Sequence, residues 1–349
     1  MTLLQTSLLL LFTVVLGVVA VAQNQQPPQA EISNGILRVG LYLPNAQKGF
    51  YRGTRFDWSG VMRSLEYKGH QYYGPWFTKT DQNVIDFIFD GPDIIAGPCS
   101  AITGPVEEFS SNGKALGFDE ARPGGTFIKI GIGVLRRPDD QDYNPYRLYD
   151  IVNPGKWIIR PGNDSVEFIH ELRDPESGYA YQYTKVVRLN KSKPEMSLEH
   201  RLKNTGRRSI ETSVYDHNFL VLDNQPIGPD FMLTVPFGIK IQHEHGAELA
   251  LVQGHQFTYR KELTGRDTVS GEFSGFGDTA ADYKITIENR KIGAGMTIEG
   301  DRPLSKENLW SIRSVLAAEP FIRMSIEPGK TFAWRYNYTY YLINERTSK

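Results

Sequence analysis

Apolar and polar residues alternate with a period of two along most of this chain. Met196, Leu198, His200 and Leu202 fall on one side of an extended segment, with Ser197, Glu199, Arg201 and Lys203 on the other. Phe332, Trp334, Tyr336, Tyr338 and Tyr340 repeat the pattern near the C-terminus. Comparable runs occupy 35–43, 61–67, 84–89, 126–134, 157–160, 165–172, 179–189, 210–222, 231–236, 238–243, 247–252, 283–289, 295–299 and 311–322. Turn-forming pairs and triplets punctuate them, among them Lys68-Gly69, Asp174-Pro175, Asn204-Thr205-Gly206 and Glu327-Pro328-Gly329. No apolar repeat of helical period persists beyond about two turns, and only 306–309 reads as a short helical turn. The pattern predicts an all-β protein, a large antiparallel sandwich or barrel. No linker or composition shift divides it, so 35–345 reads as a single domain. The absence of a fixed-period repeat argues against a propeller.

The N-terminus breaks this pattern. Residues 7–22 form an uncharged apolar run ending Ala20-Val21-Ala22, a small-residue cleavage pattern too short for a comfortable membrane span. Residues 1–22 are therefore expected to be a signal peptide, followed by a polar linker over 23–34 containing Pro27-Pro28. The mature protein is expected outside the cytoplasm, periplasmic or secreted, with no stable membrane insertion. Of 349 residues, 39 are basic and 40 acidic, giving a net charge of −1. That balance removes the simplest case for nucleic acid or an anionic membrane as partner. The only cysteine, Cys99, excludes an internal disulfide and a cysteine-based metal site.

Two segments carry candidate chemistry. If 210–222 is a strand, Ser213, Tyr215, His217 and Phe219 share a mixed polar and aromatic face, the composition of a sugar-binding cleft. A satisfied surface histidine is the plainer alternative. In 311–323, Arg313, Val315, Ala317, Glu319, Phe321 and Arg323 share a face. Glu319 follows an apolar stretch and precedes Pro320, a setting that desolvates a carboxyl and raises its pKa toward general-base range. A salt bridge to Arg313 or Arg323 is the alternative there. His243-Glu244-His245 places two imidazoles on one strand face without a third ligand in evident spacing, so no metal is assigned. His200 reads as a hydrogen-bonded core histidine. No G-x-S-x-G is present, which disfavours an α/β-hydrolase.

Three stretches, in order, resemble the aldose 1-epimerase (galactose mutarotase-like) superfamily. One is 198–206 (LEHRLKNTG) followed by 213–219 (SVYDHNF), similar to a strand ending in Asn-x-Gly and then the histidine-bearing strand. Another is 316–320 (LAAEP), the Glu327-Pro328-Gly329 turn and the aromatic strand beyond. The third is 56–60 (FDWSG) with Arg63 and Lys68-Gly69. The resemblance implies a galactose mutarotase-like β-supersandwich, with Glu319 as general base on the C1 hydroxyl and His217 as the acid at the ring oxygen. It implies a sugar or glycan ligand, no cofactor and no metal. Arg55 is preferred over Arg63 as the substrate arginine; Tyr215, Asn112, Asp119, Trp310 and Trp76 are further cleft candidates. Where relatives carry an upstream His-Gly, this chain has Asn112-Gly113, which can bond a hydroxyl but cannot transfer a proton near neutrality. A non-catalytic carbohydrate-binding sandwich is the alternative reading.

Overall fold

Alternation of buried and exposed positions builds two antiparallel sheets, packed face to face, in the computed structural model, which describes residues 26–346. The expected signal peptide lies outside the described residues. The larger sheet has ten strands. It runs Lys156–Pro161, Ser165–Arg173, Ala180–Leu189, Glu195–Asn204, Thr331–Leu342, Ala294–Gly300, Lys284–Asn289, Phe231–Thr234, Gln256–Tyr259, Ala250–Gln253. The smaller has six, in the order Lys240–His245, Thr268–Ser274, Lys306–Ile312, Val315–Ile326, Ile210–Leu220, Gly104–Ser110. Val187, Leu198, Leu202, Trp334 and Tyr336 from the first sheet meet Phe109, Val214, Leu309, Ile322 and Met324 from the second in one continuous apolar core. The aromatics of Thr331–Leu342 thus fill the space between the sheets. The period-two pattern is the imprint of this burial.

A second apolar cluster lies on the opposite, outer side of the six-stranded sheet. There Phe56, Trp58, Trp76, Ile102, Phe127 and Tyr149, from the N-terminal half, cover Val106, Tyr215 and Phe219. This layer of loops and small sheets turns what would be a solvent face into a partly enclosed one. Gly131, in the turn of a hairpin within this layer, has φ +77°, and a Cβ there would stand 2.4 Å from Asp57 Oδ1. Only glycine fits. No helix among the described residues is long and apolar enough to cross a membrane.

Four local expectations are corrected. Strand structure starts at Gln29–Ser33, inside the expected linker, because that segment pairs with Leu37–Tyr42. Residues 306–309 are extended, not helical: they open the Lys306–Ile312 strand, held between two neighbours. The run 311–322 is interrupted, since the chain reverses at Arg313-Ser314 and restarts as Val315–Ile326. Likewise 126–134 is a hairpin, Thr126–Lys129 with Gly133–Arg136. A further reading also changes. A register shift between Gln242 and His245, with His243 at φ +49°, breaks the alternation that would put His243 and His245 on one face.

Candidate active site on the outer face of the six-stranded sheet

Strand register assembles the site. Four adjacent strands align Val106, His217, Glu319 and Asn308 in one row across the sheet, all on the outer face. His217 is paired with Val106, and Glu319 with Asn308. Pro320 lacks an N–H, so the ladder between the two central strands is interrupted there, yet Tyr215 still pairs with Phe321 and Asn218 with Ala318. Register is therefore kept, and His217 stands opposite Glu319. His217 Nε2 lies 3.2 Å from Glu319 Oε1. Carboxylate pairs that flank a sugar set an expectation of about 5–8 Å for this gap. Direct cross-strand neighbours sit too close for that. A ligand must lie over this pair rather than between its members.

The next row toward the far end of the sheet is Glu108, Tyr215, Phe321 and Lys306. The row on the other side is Gly104, Phe219, Ala317 and Trp310. Phe219 stacks on the His217 ring at 3.7 Å between centroids, and Phe56 meets its edge at 5.5 Å. Trp310 lies 5.9 Å from His217 and 5.6 Å from Trp76, whose indole nitrogen is spent on Ile102 O at 3.0 Å. His217 is 4% exposed and Glu319 9%, so the pair is almost dry.

Arg55 enters from the loop before the Met62–Tyr67 strand. That loop runs along the free edge of the sheet, pinned where Asp57 N–H donates to Glu107 O at 2.8 Å. Arg55 is held between the Phe56 and Tyr146 rings at 4.4 and 4.6 Å. Its Nε donates to Glu108 at 2.8 Å and its Nη2 to the Tyr215 hydroxyl at 3.0 Å. Tyr215 donates in turn to Glu108 at 2.6 Å, and Lys129 donates to the other Glu108 oxygen at 3.0 Å. Burial alone would raise the Glu108 pKa, but Lys129, Arg55 and Tyr215 outweigh it and hold the carboxyl at about 2.

Glu319 is treated differently. Burial pushes its pKa up to about 7, against the opposing pull of Arg55 and a 3.4 Å bond from Asn308 Nδ2. The nearby cations are committed elsewhere: Arg55 to Glu108, and Lys306 to Glu272 at 3.1 Å. This keeps Glu319 from becoming a permanent carboxylate. Burial and the Arg55 charge drive the His217 pKa well below its ordinary 6.5, so the imidazole is neutral at physiological pH. The acid expected at position 217 is not a standing imidazolium.

The structure thus brings Arg55, Tyr215 and Trp310 to the Glu319–His217 pair. Asn112 lies apart, at φ +49° in an exposed turn closed by Ser111 and Lys114, on the rim of a neighbouring cleft. Asp119 does not join the site. Its turn buries Phe118, sends Asp119 outward and leaves it ion-paired to Lys114 at 2.7 Å. Sequence reading missed Glu108, Tyr146 and Asn308. Glu107-Glu108 was readable as two carboxylates with opposite facing in a strand, but 104–110 carries too little apolar alternation to be noticed as one.

No protein-family profile matches the sequence, and no curated protein does. Solved structures do. The GalM/aldose epimerase homologue of C. elegans aligns with 91% of this chain and 99% of its own at 12% identity, with a TM-score of 0.52. A galactose mutarotase-like protein from Lactobacillus casei aligns over 90% and 100% at 14% identity and 0.51. The Slr1438 protein of Synechocystis does so over 91% and 97% at 11% and 0.51. The fold is that of the aldose 1-epimerase and galactose mutarotase-like proteins. At such identities the likeness defines architecture and leaves the chemistry to the site itself.

Proposed function

We propose that the protein is an aldose 1-epimerase-type isomerase, interconverting the anomers of a hexose or related sugar. The observation that carries this is the direct contact of a carboxyl poised at about 7 with a neutral imidazole on one dry, aromatic-walled face. With the pyranose over the pair, ionised Glu319 takes the C1 hydroxyl proton. The C1–O5 bond breaks as O1 becomes a carbonyl oxygen; Glu319, now protonated and 3.2 Å from Nε2, passes that proton to the neutral His217 imidazole, which delivers it to O5 without solvent. Rotation about C1–C2 and the reverse sequence close the ring with C1 inverted. Arg55 and Asn308 tune the base, and Trp310 offers an apolar ring to a sugar face.

Proton abstraction needs Glu319 ionised, so activity is expected to rise with pH through about 7 and to level off above about 8. Polarimetry or NMR of freshly dissolved α-glucose and α-galactose checks this; a rate flat from pH 5 to 8 would contradict it. The reading includes export. Protein recovered outside the cytoplasm should begin at Gln23, as N-terminal sequencing would reveal, whereas an intact residue 1 would count against cleavage.

A further inference from the structure

Beyond the Glu319 row the outer face continues into an open cleft of about 920 Å³, at the upper end of the ~300–1,000 Å³ typical of small-ligand pockets. Phe321 and Lys306 belong both to its wall and to the row next to Glu319, so the cleft begins one row of side chains from the proposed catalytic pair. Its floor is the following row, Ser110, Ser213 and Arg323, joined by strand register. Glu319 and Arg323 are four positions apart on one strand, about 13 Å at ~3.3 Å per residue. Asn112, on the exposed turn, forms the rim.

The chemistry of the lining is that of hydroxyl recognition. Serine is the commonest residue of the lining, and the charges largely cancel internally. Lys306 is bonded to Glu272 at 3.1 Å, and Glu211 accepts from Ser325 at 2.5 Å. Arg323 makes no ion pair among the described residues, so its fork of donors faces the cleft uncommitted. A monosaccharide over Glu319 would leave this volume unused. A polyanion would meet the Glu211 and Glu272 carboxylates as well as the Arg323 cation.

We infer that the substrate is the reducing-end unit of a longer, uncharged glycan, whose remaining sugars lie in the cleft against Ser213, Arg323 and Asn112. This rests on the proposed anomerase reading for what happens at the reducing end, but the binding does not. Calorimetry on the Glu319→Gln variant, which removes the base, compares cellotriose, maltotriose and β-1,4-galactotriose with glucose and galactose. At least one trisaccharide is expected to bind ten-fold or more tighter than its own monosaccharide. Ser213→Trp, which fills the cleft, and Arg323→Ala, at an exposed position, should each bring that ratio toward one; thermal melts report whether either variant has unfolded. Trisaccharides all within two-fold of the monosaccharides, no saccharide binding at all, or a ratio that survives both substitutions would overturn the inference. If the ratio holds while wild-type protein anomerises no sugar, the cleft stands and the catalytic reading falls; the opposite pair of results removes only the cleft.

Discussion

Glu319→Gln is expected to slow anomer interconversion by about 10²–10⁴-fold, the usual contribution of a positioned general base. The amide keeps the shape of the side chain and can still meet Asn308 and His217, so sugar binding should change little and the loss should fall on kcat. The same substitution is expected to stabilise the fold at pH 8. The carboxyl has a folded pKa of about 7 against an ordinary 4.5. A group raised in this way favours folding fully below about 4.5, and that contribution disappears as pH rises through about 7. Above that, the native state carries a desolvated carboxylate that the unfolded chain does not. Glutamine never ionises, so the variant should gain about 1–3 kcal/mol over wild type between pH 5 and pH 8, since a tenfold change in proton affinity is worth about 1.4 kcal/mol and solvent access takes back part of it. Opposite signs in rate and stability separate loss of the base from misfolding. Urea titrations at both pH values, run beside the rate assay, decide it; a variant both slow and destabilised at pH 8 would mean that Glu319 is a structural residue.

Lys185→Met is expected to cost about 3–5 kcal/mol of stability. Glu107 points from the Gly104–Ser110 strand into the space between the sheets, opposite in direction to Glu108. It is wholly buried, bonded by Lys185 and by His200 Nε2 at 2.6 Å, while Lys185 also donates to Ser59 O at 3.1 Å. His200 stacks on Trp334 at 4.6 Å, as a core histidine should. Burial acts to raise the Glu107 pKa, but Lys185 and then His200 overcome it and bring the carboxyl to about 2. Its contribution is therefore present above about 4.5 and fades as pH falls through about 2. Without the ammonium, an ionised carboxylate remains in a dry interior with one neutral neighbour. Chemical denaturation at pH 7 measures the loss, and adding Glu107→Leu to Lys185→Met should restore much of it. A single variant within 1 kcal/mol of wild type would show that solvent reaches this network.

These two glutamates show where sequence reading stops. Period-two alternation exposed most strands because burial of one face repeats every second residue, and it put His217 and Glu319 on defined faces of their strands. It failed where alternation was masked. In the Gly104–Ser110 strand both faces are covered, so nearly every residue is buried and nothing distinguishes one side from the other. The Lys306–Ile312 strand alternates buried with half-buried residues, and its charged start imitates a helical turn. Asp119, a cleft candidate in the sequence, points away because its direction depends on the neighbour that the turn buries, Phe118.

The order of apolar and polar residues was enough to determine an all-β antiparallel protein, sandwich or barrel, and to put His217 and Glu319 on defined strand faces, since both follow from local periodicity; the supersandwich and the pairing of those two residues came from the family resemblance. What only the tertiary structure decided is the state of those residues. Glu319 is raised to about 7 rather than neutralised by a cation because Arg55 is claimed by Glu108, 53 positions away, and Lys306 by Glu272, on the strand alongside. His217 is neutral because the N-terminal loops close over a face that its own strand would leave wet. Desolvation and charge compensation are sums over everything within a few ångströms, and those neighbours come from segments that only folding brings together.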